Sequence, residues 1–147
     1  MKKEYEPNLP PVPLDESLCE QAFLNIMQNA YDAMGSDGGL LRVKVARWRS
    51  DGRDGVEVRI QDTGPGIPVE LREQIFNPFV TTKKTGVGLG LSIVSKIIDG
   101  HNGSIRIESR AESAGNGGQS AGACFVIFFP TASEKTAVGE TAHLVIS

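Results

Sequence analysis

The stretch "VEVRIQDTGPGIP", residues 56–68, joins a strand-like run to a loop with few side chains. Val56, Val58 and Ile60 alternate with polar residues, so on a β-strand they share one face. Asp62 falls on that same face, at the rim of an apolar layer. A buried carboxylate is costly unless hydrogen-bond donors surround it. The stretch therefore predicts a strand that ends on a carboxylate in need of a donor.

Two interpretations of this loop remain open from the motif alone. An Asp-Thr-Gly sequence is common in ordinary turns. Alternatively, the exocyclic amino group of a base such as adenine supplies the donor to Asp62. Gly64 and Gly66 would then let a flat ring approach the backbone, because they carry no side chain.

Composition and charge narrow the class of protein. The chain has 147 residues, 39% of them hydrophobic and 22% charged, which predicts one folded domain. The net charge of −3 provides no basic footprint, so we expect no nucleic-acid partner. No apolar run is long enough to span a bilayer and no signal peptide is evident, so we expect a cytoplasmic location. Cys19 and Cys124 are predicted to be buried free thiols rather than a disulfide.

Periodicity along the chain predicts a mixed α+β layout with pairs of adjacent strands. Asp15 is the expected N-cap of a first helix, and Gly100 the expected end of a later one. Strands are predicted over 40–49, 56–62, 104–109 and 123–129, helices over about 16–34, 68–76 and 91–100, an extended arm or edge strand over 5–13, and a mobile loop over 110–122.

The first predicted helix carries a stripe of amides and one carboxylate. Its members are Gln21, Asn25, Gln28, Asn29 and Asp32. Apolar residues cover the opposite side: Phe23, Ile26, Met27, Ala30, Ala33 and Met34. The stripe could be a solvated face, although Asn is a poor helix former. It could equally be a ligand-binding face, because an asparagine carbonyl suits a hard cation such as Mg²⁺.

A glycine-rich segment, "TTKKTGVGLGLSIV" at residues 81–94, leads directly into the last predicted helix. Gly86, Gly88 and Gly90 would expose backbone N–H groups at a helix N-terminus, an arrangement that suits phosphate oxygens. The spacing matches neither the Walker A loop nor the dinucleotide-binding G-x-G-x-x-G fingerprint. The segment is either a flexible linker or a different kind of phosphate site.

Four motifs in order resemble the ATP-binding catalytic domain of sensor histidine kinases, in the superfamily that includes gyrase, a heat-shock chaperone and a mismatch-repair ATPase. They are "NIMQNAYDA" (25–33), "DTGPGI" (62–67), "IFNPFVTTK" (75–83) and "GVGLGLSIV" (86–94), and they resemble the N box, the first glycine box, the F box of nitrogen-regulation kinases and the second glycine box. The resemblance covers about residues 10–130. Four motifs in one order are far more specific than any single one.

The resemblance implies a Bergerat fold: a two-layer α/β sandwich whose mixed, largely antiparallel sheet is covered by helices on one face. Residues 1–130 would form the ATP-binding domain, with a lid at about 77–89. Residues 131–147 would be a polar tail or the start of a following domain, such as a receiver. The implied cofactors are ATP and Mg²⁺, with Asn29 as the metal ligand and Asn25 and Asn29 as catalytic residues. The implied cofactor-binding residues are Asn29, Asp32, Asp62, Gly64, Gly66, Ile67, Phe79, Thr82, Lys83, Gly86, Gly88, Leu89, Gly90 and Leu91.

The same resemblance favours a kinase over an efficient ATPase. Hydrolysing members of the superfamily carry a glutamate where this chain has Asn25, which cannot act as a general base. We expect transfer of the γ-phosphate to a histidine on separate dimerisation helices of the same kinase, with a response regulator downstream. His101 and His143 are not expected to be acceptors. The implied assembly is a monomeric fragment of a homodimeric kinase, which could be membrane-bound.

Two alternatives share the fold. One is a serine kinase of the anti-sigma-factor type, against which "NPFVTTK" argues. The other is a nucleotide-sensing module without transfer activity.

Overall fold

The structure, a computed structural model, describes residues 1–36, 38–64, 66–67, 69–72, 74–76, 90–109, 122–131 and 141–142. Its strands are β1 (Lys2–Tyr5), β2 (Val12–Pro13), β3 (Arg42–Ser50), β4 (Arg53–Gln61), β5 (Ser104–Ser109), β6 (Ala123–Pro130) and β7 (Thr141–Ala142). Its α-helices are α1 (Glu16–Met34) and α2 (Gly90–Gly100), and 3₁₀ turns occur at Val69–Leu71 and Gln74–Phe76.

Five strands form one mixed sheet in the order β1–β3–β4–β6–β5. Every pair in it is antiparallel except β1 with β3, which is parallel. The short strands β2 and β7 form a separate antiparallel pair. This is the mixed, largely antiparallel sheet that the sequence predicts.

Both α-helices pack on one face of the sheet, which makes the described part of the chain a two-layer sandwich. The inward side chains of β4 are Val56, Val58 and Ile60, each no more than 1% exposed. They pack with residues of α1 and α2 in one apolar cluster, as the period-two pattern predicts. The two-layer α/β architecture inferred from the motifs is therefore confirmed.

The boundaries of α1 follow local chemistry. The Asp15 side chain accepts a hydrogen bond from the backbone N–H of Leu18 at 3.0 Å, so Asp15 is the N-cap as predicted. Gly35, with φ of +71°, follows the last helical residue. Ala33 is exposed rather than buried, contrary to its predicted place on the apolar side. Its carbonyl instead faces the loop after β4, near Gly64.

Three other expectations need correction. The helix predicted over 68–76 is, in its described residues, two 3₁₀ turns, from which Leu71, Ile75 and Phe76 pack into or against the core. Strands β3 and β4 extend toward each other until only Asp51 and Gly52 separate their paired ends. The edge strand of the five-stranded sheet lies at Lys2–Tyr5, mostly before the predicted arm or edge strand over 5–13, in which Val12–Pro13 forms the short strand β2.

Strand β6 is buried on both faces, although the described helices cover only one. On its second face Val126 lies between Arg59 of β4 and Arg106 of β5. Arg59 bonds Glu57 at 2.7 Å and Glu108 at 2.9 Å, and Arg106 bonds Glu108 at 3.1 Å. We name these four charged residues the ion-pair ring. Its long side chains enclose Val126, which is 1% exposed.

Other expectations have mixed outcomes. Cys19 and Cys124 are buried and neither is in a disulfide bond, as predicted. Neither described α-helix is both long and apolar enough to cross a membrane. The predicted lid at 77–89, most of the loop at 110–122, His143 and most of the tail lie outside the described residues.

Candidate functional site

Asp62 ends β4 as a nearly buried carboxylate, with 3% of its surface exposed. Its Oδ1 accepts hydrogen bonds from the backbone N–H groups of Gly64 at 2.9 Å and Ala123 at 3.1 Å. No described residue donates a hydrogen bond to Oδ2 or forms an ion pair with the carboxylate. Burial raises the pKa of Asp62, and the two backbone hydrogen bonds offset only part of that rise. The site therefore presents a fixed acceptor with one free oxygen.

The loop after β4 is drawn against the C-terminal end of α1. The Thr63 hydroxyl accepts from the backbone N–H of Leu40 at 3.0 Å and donates to Met34 Sδ at 3.5 Å. A Cβ on Gly64 would lie 3.1 Å from the carbonyl oxygen of Ala33. The glycine thus allows a close approach of the loop to the last turn of α1. The predicted reason, access of a flat base to the backbone, stays a prediction.

The amide stripe of α1 faces the beginning of α2. Asn25 Nδ2 donates to the carbonyl oxygen of Gly90 at 3.3 Å, which joins the two helices. One turn further along α1, Gln28 Nε2 donates to Asp32 Oδ1 at 3.0 Å. Asn29 lies one turn after Asn25 on the same face of α1. It is half-buried, and its side chain has no hydrogen bond to a described residue. Its amide is therefore available to a ligand.

The remaining loop residue with a predicted role, Gly66, also matches its local geometry. Its φ is +83°, and a Cβ there would lie 3.1 Å from Gly122, just before β6. A side chain at this position would be strained. Ile67 and Leu91 are partly buried against the core rather than free in a cleft.

The structure brings together three of the predicted segments: the amide stripe of α1, the Asp62 loop and the first residue of α2. The first residue of α2 is hydrogen-bonded to Asn25 of α1, and the Asp62 loop contacts the last turn of α1 at Ala33 and Met34. The other predicted binding residues, Phe79, Thr82, Lys83, Gly86, Gly88 and Leu89, lie outside the described residues. Their roles stay predictions.

Two contributors were missed by reasoning from the sequence. The backbone N–H of Ala123, on a strand 61 residues away, holds the Asp62 carboxylate, and no local pattern reveals such a partner. Thr63 joins the loop to the chain after α1. The sequence did contain a weak signal for Thr63, since Ser and Thr hydroxyls commonly bond backbone groups at turns.

The chain fits Mg²⁺ better than a metal held by the protein alone. Among the described residues no group of three His, Cys, Asp or Glu side chains could hold a metal ion. Mg²⁺ usually keeps several waters and takes one or two protein oxygens together with substrate phosphates. The unpartnered Asn29 amide matches that requirement.

A family model described as histidine kinase-, DNA gyrase B- and HSP90-like ATPase matches residues 14–133. Among curated relatives, the sensory histidine kinase/phosphatase NtrB of Rhizobium meliloti is 39% identical over 121 residues, which are 75% of this chain and 32% of the relative. NtrB of Rhodobacter capsulatus is 40% identical over 119 residues, 73% of this chain and 32% of the relative. The chain thus spans about a third of these relatives.

Solved structures agree on the fold. The catalytic domain of histidine kinase ThkA, in a nucleotide-free form, superposes with a TM-score of 0.70 and 35% identity, covering 88% of this chain and 76% of that one. Full-length ShkA in complex with AMPPNP gives a TM-score of 0.62 and 28% identity, covering 90% of this chain and 26% of that one.

Proposed function

This chain belongs to the family of histidine kinase-, DNA gyrase B- and HSP90-like ATPases, and we propose that it binds Mg–ATP and donates the γ-phosphate to a histidine of a separate domain. One observation carries the proposal: the start of α2 and the Asp62 loop both contact the half of α1 that bears Asn29, and neither the Asn29 amide nor one oxygen of Asp62 has a hydrogen-bond partner among the described residues.

The base end of the site is assigned to Asp62. A buried carboxylate without a counter-charge gains most from a neutral donor that reaches its free oxygen. The exocyclic amino group of adenine is such a donor, and guanine presents a carbonyl at the same ring position. The backbone hydrogen bonds from Gly64 and Ala123 hold Oδ1, so Oδ2 keeps its direction for the base.

The metal end is assigned to Asn29, whose amide oxygen would hold Mg²⁺ together with phosphate oxygens. Bound there, Mg²⁺ would neutralise charge that develops on the phosphates during transfer. Replacing Asn29 by Ala is expected to lower the affinity for Mg–ATP while leaving the metal-free binding of ATP nearly unchanged. Calorimetric titrations with Mg²⁺ and with EDTA measure both. Equal losses in the two titrations would contradict the metal assignment.

Transfer is favoured over hydrolysis by the environment of Asn25. An amide cannot accept a proton from water as a carboxylate can. Its Nδ2 is also committed to the Gly90 carbonyl, so the side chain holds two helices together rather than orienting a nucleophile. Phosphoryl transfer depends chiefly on positioning and charge neutralisation, which such a site can supply.

The phosphate end is assigned to the start of α2 at Gly90, with Gly86, Gly88 and Lys83 as predicted contributors from outside the described residues. The N-terminal N–H groups of a helix favour an anion. Phe79, Thr82, Leu89 and Leu91 complete the proposed lining, and Asp32 lies beside the amide stripe.

The acceptor is proposed to come from elsewhere. His101 uses both ring nitrogens in internal contacts, so it is not available as a nucleophile. The matched relatives are named sensory histidine kinase/phosphatase, and about two thirds of their length lies outside the match. We propose that dimerisation helices carry the acceptor histidine, that the parent kinase is a homodimer acting on a response regulator, and that this part lies in the cytoplasm.

The test combines binding with transfer. The isolated chain is titrated with Mg–ATP, then incubated with radiolabelled ATP, alone and with the dimerisation-helix fragment of an NtrB relative. We expect binding, no self-labelling, and acid-labile label on the fragment, as a phosphohistidine gives. Lack of Mg–ATP binding contradicts the proposal, and so does acid-stable label typical of phosphoserine. Binding without transfer to any acceptor fragment would favour a nucleotide-sensing module.

A further inference from the structure

His101, just after α2, contacts three other elements of the fold. Its Nε2 lies 2.9 Å from the backbone nitrogen of Asp15, and its Nδ1 lies 2.7 Å from the carbonyl oxygen of Ile97. Its ring meets Phe129 of β6 edge-on, with centroids 6.1 Å apart. The histidine therefore connects the end of α2 with the beginning of α1 and with the sheet.

These partners determine which ring nitrogen carries the proton. A carbonyl only accepts, so Nδ1 must donate to Ile97. A backbone N–H only donates, so Nε2 must accept from Asp15. The Cys19 thiol, 3.5 Å away, is a second donor to Nε2. Burial, reinforced by Asp15, raises the pKa of Cys19 to about 11, so the thiol keeps its proton at neutral pH.

The hydrogen bond to Asp15 completes the N-cap of α1. In a capping box, a Glu or Gln at the third helical position accepts from the N–H of the N-cap residue. That position here is Leu18, which cannot accept. His101 supplies the missing acceptor from 86 residues away. At the beginning of α1 the Asp15 side chain thus accepts from Leu18, while the N–H of Asp15 donates to His101, the residue that follows α2.

Helices α1 and α2 are consequently joined at two places. Asp15 meets His101 at one, and Asn25 meets Gly90 at the other. Ten residues separate the two contacts along α1 and eleven along α2, or about 15 Å and 16 Å of helix. The nearly equal spans match two helices that lie side by side and antiparallel, and the two hydrogen bonds set the register of an interface whose interior is the shared apolar core.

We propose that His101 is a positioning residue for the nucleotide site: by accepting from the Asp15 N–H it aligns the start of α2 with the amide stripe of α1. The proposal rests on the proposed function for its ligand, although the alignment itself does not require one. His101 touches no proposed ligand and acts through Gly90 and Asn25.

The base end and the phosphate end of the site would respond differently to loss of the His101 contact. Asp62 is held by backbone groups of its own loop and of β6, and neither depends on the position of α2. The phosphate end depends on α2 directly. Loss of the His101 contact is therefore expected to weaken binding of the triphosphate while sparing binding of adenosine.

Two substitutions separate positioning from simple support. In His101→Gln the side-chain oxygen can reach the place of Nε2 and accept from Asp15. In His101→Asn the shorter amide can reach the place of Nδ1 and donate to Ile97, but nothing accepts from Asp15. Lys96→Gln, at an exposed position of α2, is the matched control. Each variant is titrated with Mg–ATP and with adenosine after circular dichroism has verified its fold.

We expect the Asn variant to lose roughly threefold to tenfold in Mg–ATP affinity, the scale of one hydrogen bond, with adenosine affinity changed less than about twofold. The Gln and Lys96 variants should bind both like the original chain. Equal behaviour of Asn and Gln variants, or equal loss for ATP and adenosine, would overturn the proposal.

A second measurement is independent of the nucleotide. Two observables report the contact between Asn25 and Gly90 in the nucleotide-free chain. They are hydrogen exchange of the amides in the first turn of α2 and the side-chain amide resonances of Asn25. Both should change in the Asn variant and not in the Gln variant. If the original chain fails to bind Mg–ATP, the proposed function falls, whereas unchanged exchange and resonances in the Asn variant refute the positioning role by itself.

Discussion

Glu57 lies within β4 and Asp62 directly follows its last residue, and both carboxylates are nearly buried, with 4% and 3% of their surfaces exposed. They lie five positions apart, so they point to opposite faces of the sheet. Glu57 faces the ion-pair ring, and Asp62 faces the helices and the candidate site. Their surroundings differ in the one respect that separates a structural carboxylate from a binding one, which is the presence of a counter-charge.

Glu57 is neutralised by Arg59 at 2.7 Å, with Arg106 at 3.8 Å from its second oxygen. Burial alone would lower the pKa of the Arg59 guanidinium, but hydrogen bonds to Glu57 and Glu108 raise it instead. Asp62 has no cation among the described residues and relies on two backbone N–H groups. Burial by itself therefore does not distinguish the two carboxylates, and the missing counter-charge is the reason for proposing Asp62 rather than Glu57 as the binding residue.

The largest effect is expected from removing the cation that is paired with Glu57. Arg59→Met would leave Glu57 buried with only the distant Arg106 nearby. Removing one partner of a buried pair is strongly destabilising, so we expect a loss of about 3 kcal/mol in the free energy of unfolding. Urea denaturation measures it.

The companion variant Arg59→Met/Glu57→Leu removes both charges and should regain most of that loss, because the second face then becomes apolar. Mg–ATP affinity should stay unchanged in both variants, since Arg59 lies on the other side of the sheet. A loss under about 0.5 kcal/mol for Arg59→Met, the range of ordinary surface substitutions, would show that the ring does not neutralise Glu57.

Replacing the unpaired carboxylate, Asp62, should weaken nucleotide binding without destabilising the fold. Asp62→Asn replaces one carboxylate oxygen by an N–H donor that cannot accept from adenine. We expect Mg–ATP affinity to fall by about 1.5–3 kcal/mol, the range for a hydrogen bond to a charged group. Calorimetric titration measures it.

Glu57→Gln is the matched control, because it makes the same chemical change on the opposite face of the strand. It should bind Mg–ATP like the original chain. If the two amide variants lose affinity equally, the distinction between the two carboxylates fails.

The smallest expected effect concerns how the free energy of unfolding depends on pH. The pKa of Asp62 is raised in the folded chain, so below its ordinary value of 3.8 the carboxyl is protonated in both states and carries no penalty. As pH rises from 3.8 to the raised pKa of the folded chain, Asp62 ionises first in the unfolded chain. The free energy of unfolding therefore falls over this pH range.

The Asp62→Asn chain has no carboxyl group at this position, so its free energy of unfolding does not fall in this way. Without nucleotide it should therefore gain stability relative to the original chain as pH rises through this window, and keep the advantage at neutral pH. Urea midpoints at a series of pH values measure the difference. An advantage that shrank with rising pH would mean that the buried carboxylate is stabilised rather than strained.

Local patterns accounted for much of the fold. Asp15 and Gly35 mark the ends of α1 because capping chemistry is contained within a few residues. The alternation from Val56 to Ile60 predicted the inward face of β4 because pleating has a period of two. The strand at Lys2–Tyr5 was placed too late because its exposed residues show no alternation, and only pairing with β3 makes it a strand.

The site divides in the same way. Local patterns predicted which residue types were available to a ligand: a carboxylate after a strand, an asparagine stripe and glycines before a helix. Each of these is defined by spacing along a few turns or pleats. The folded chain alone shows that Ala123 holds Asp62, that Arg59 neutralises Glu57 and that His101 accepts from the N–H of Asp15. Those contacts join residues distant in the chain, and whether a buried polar group is paired depends on what the fold brings beside it.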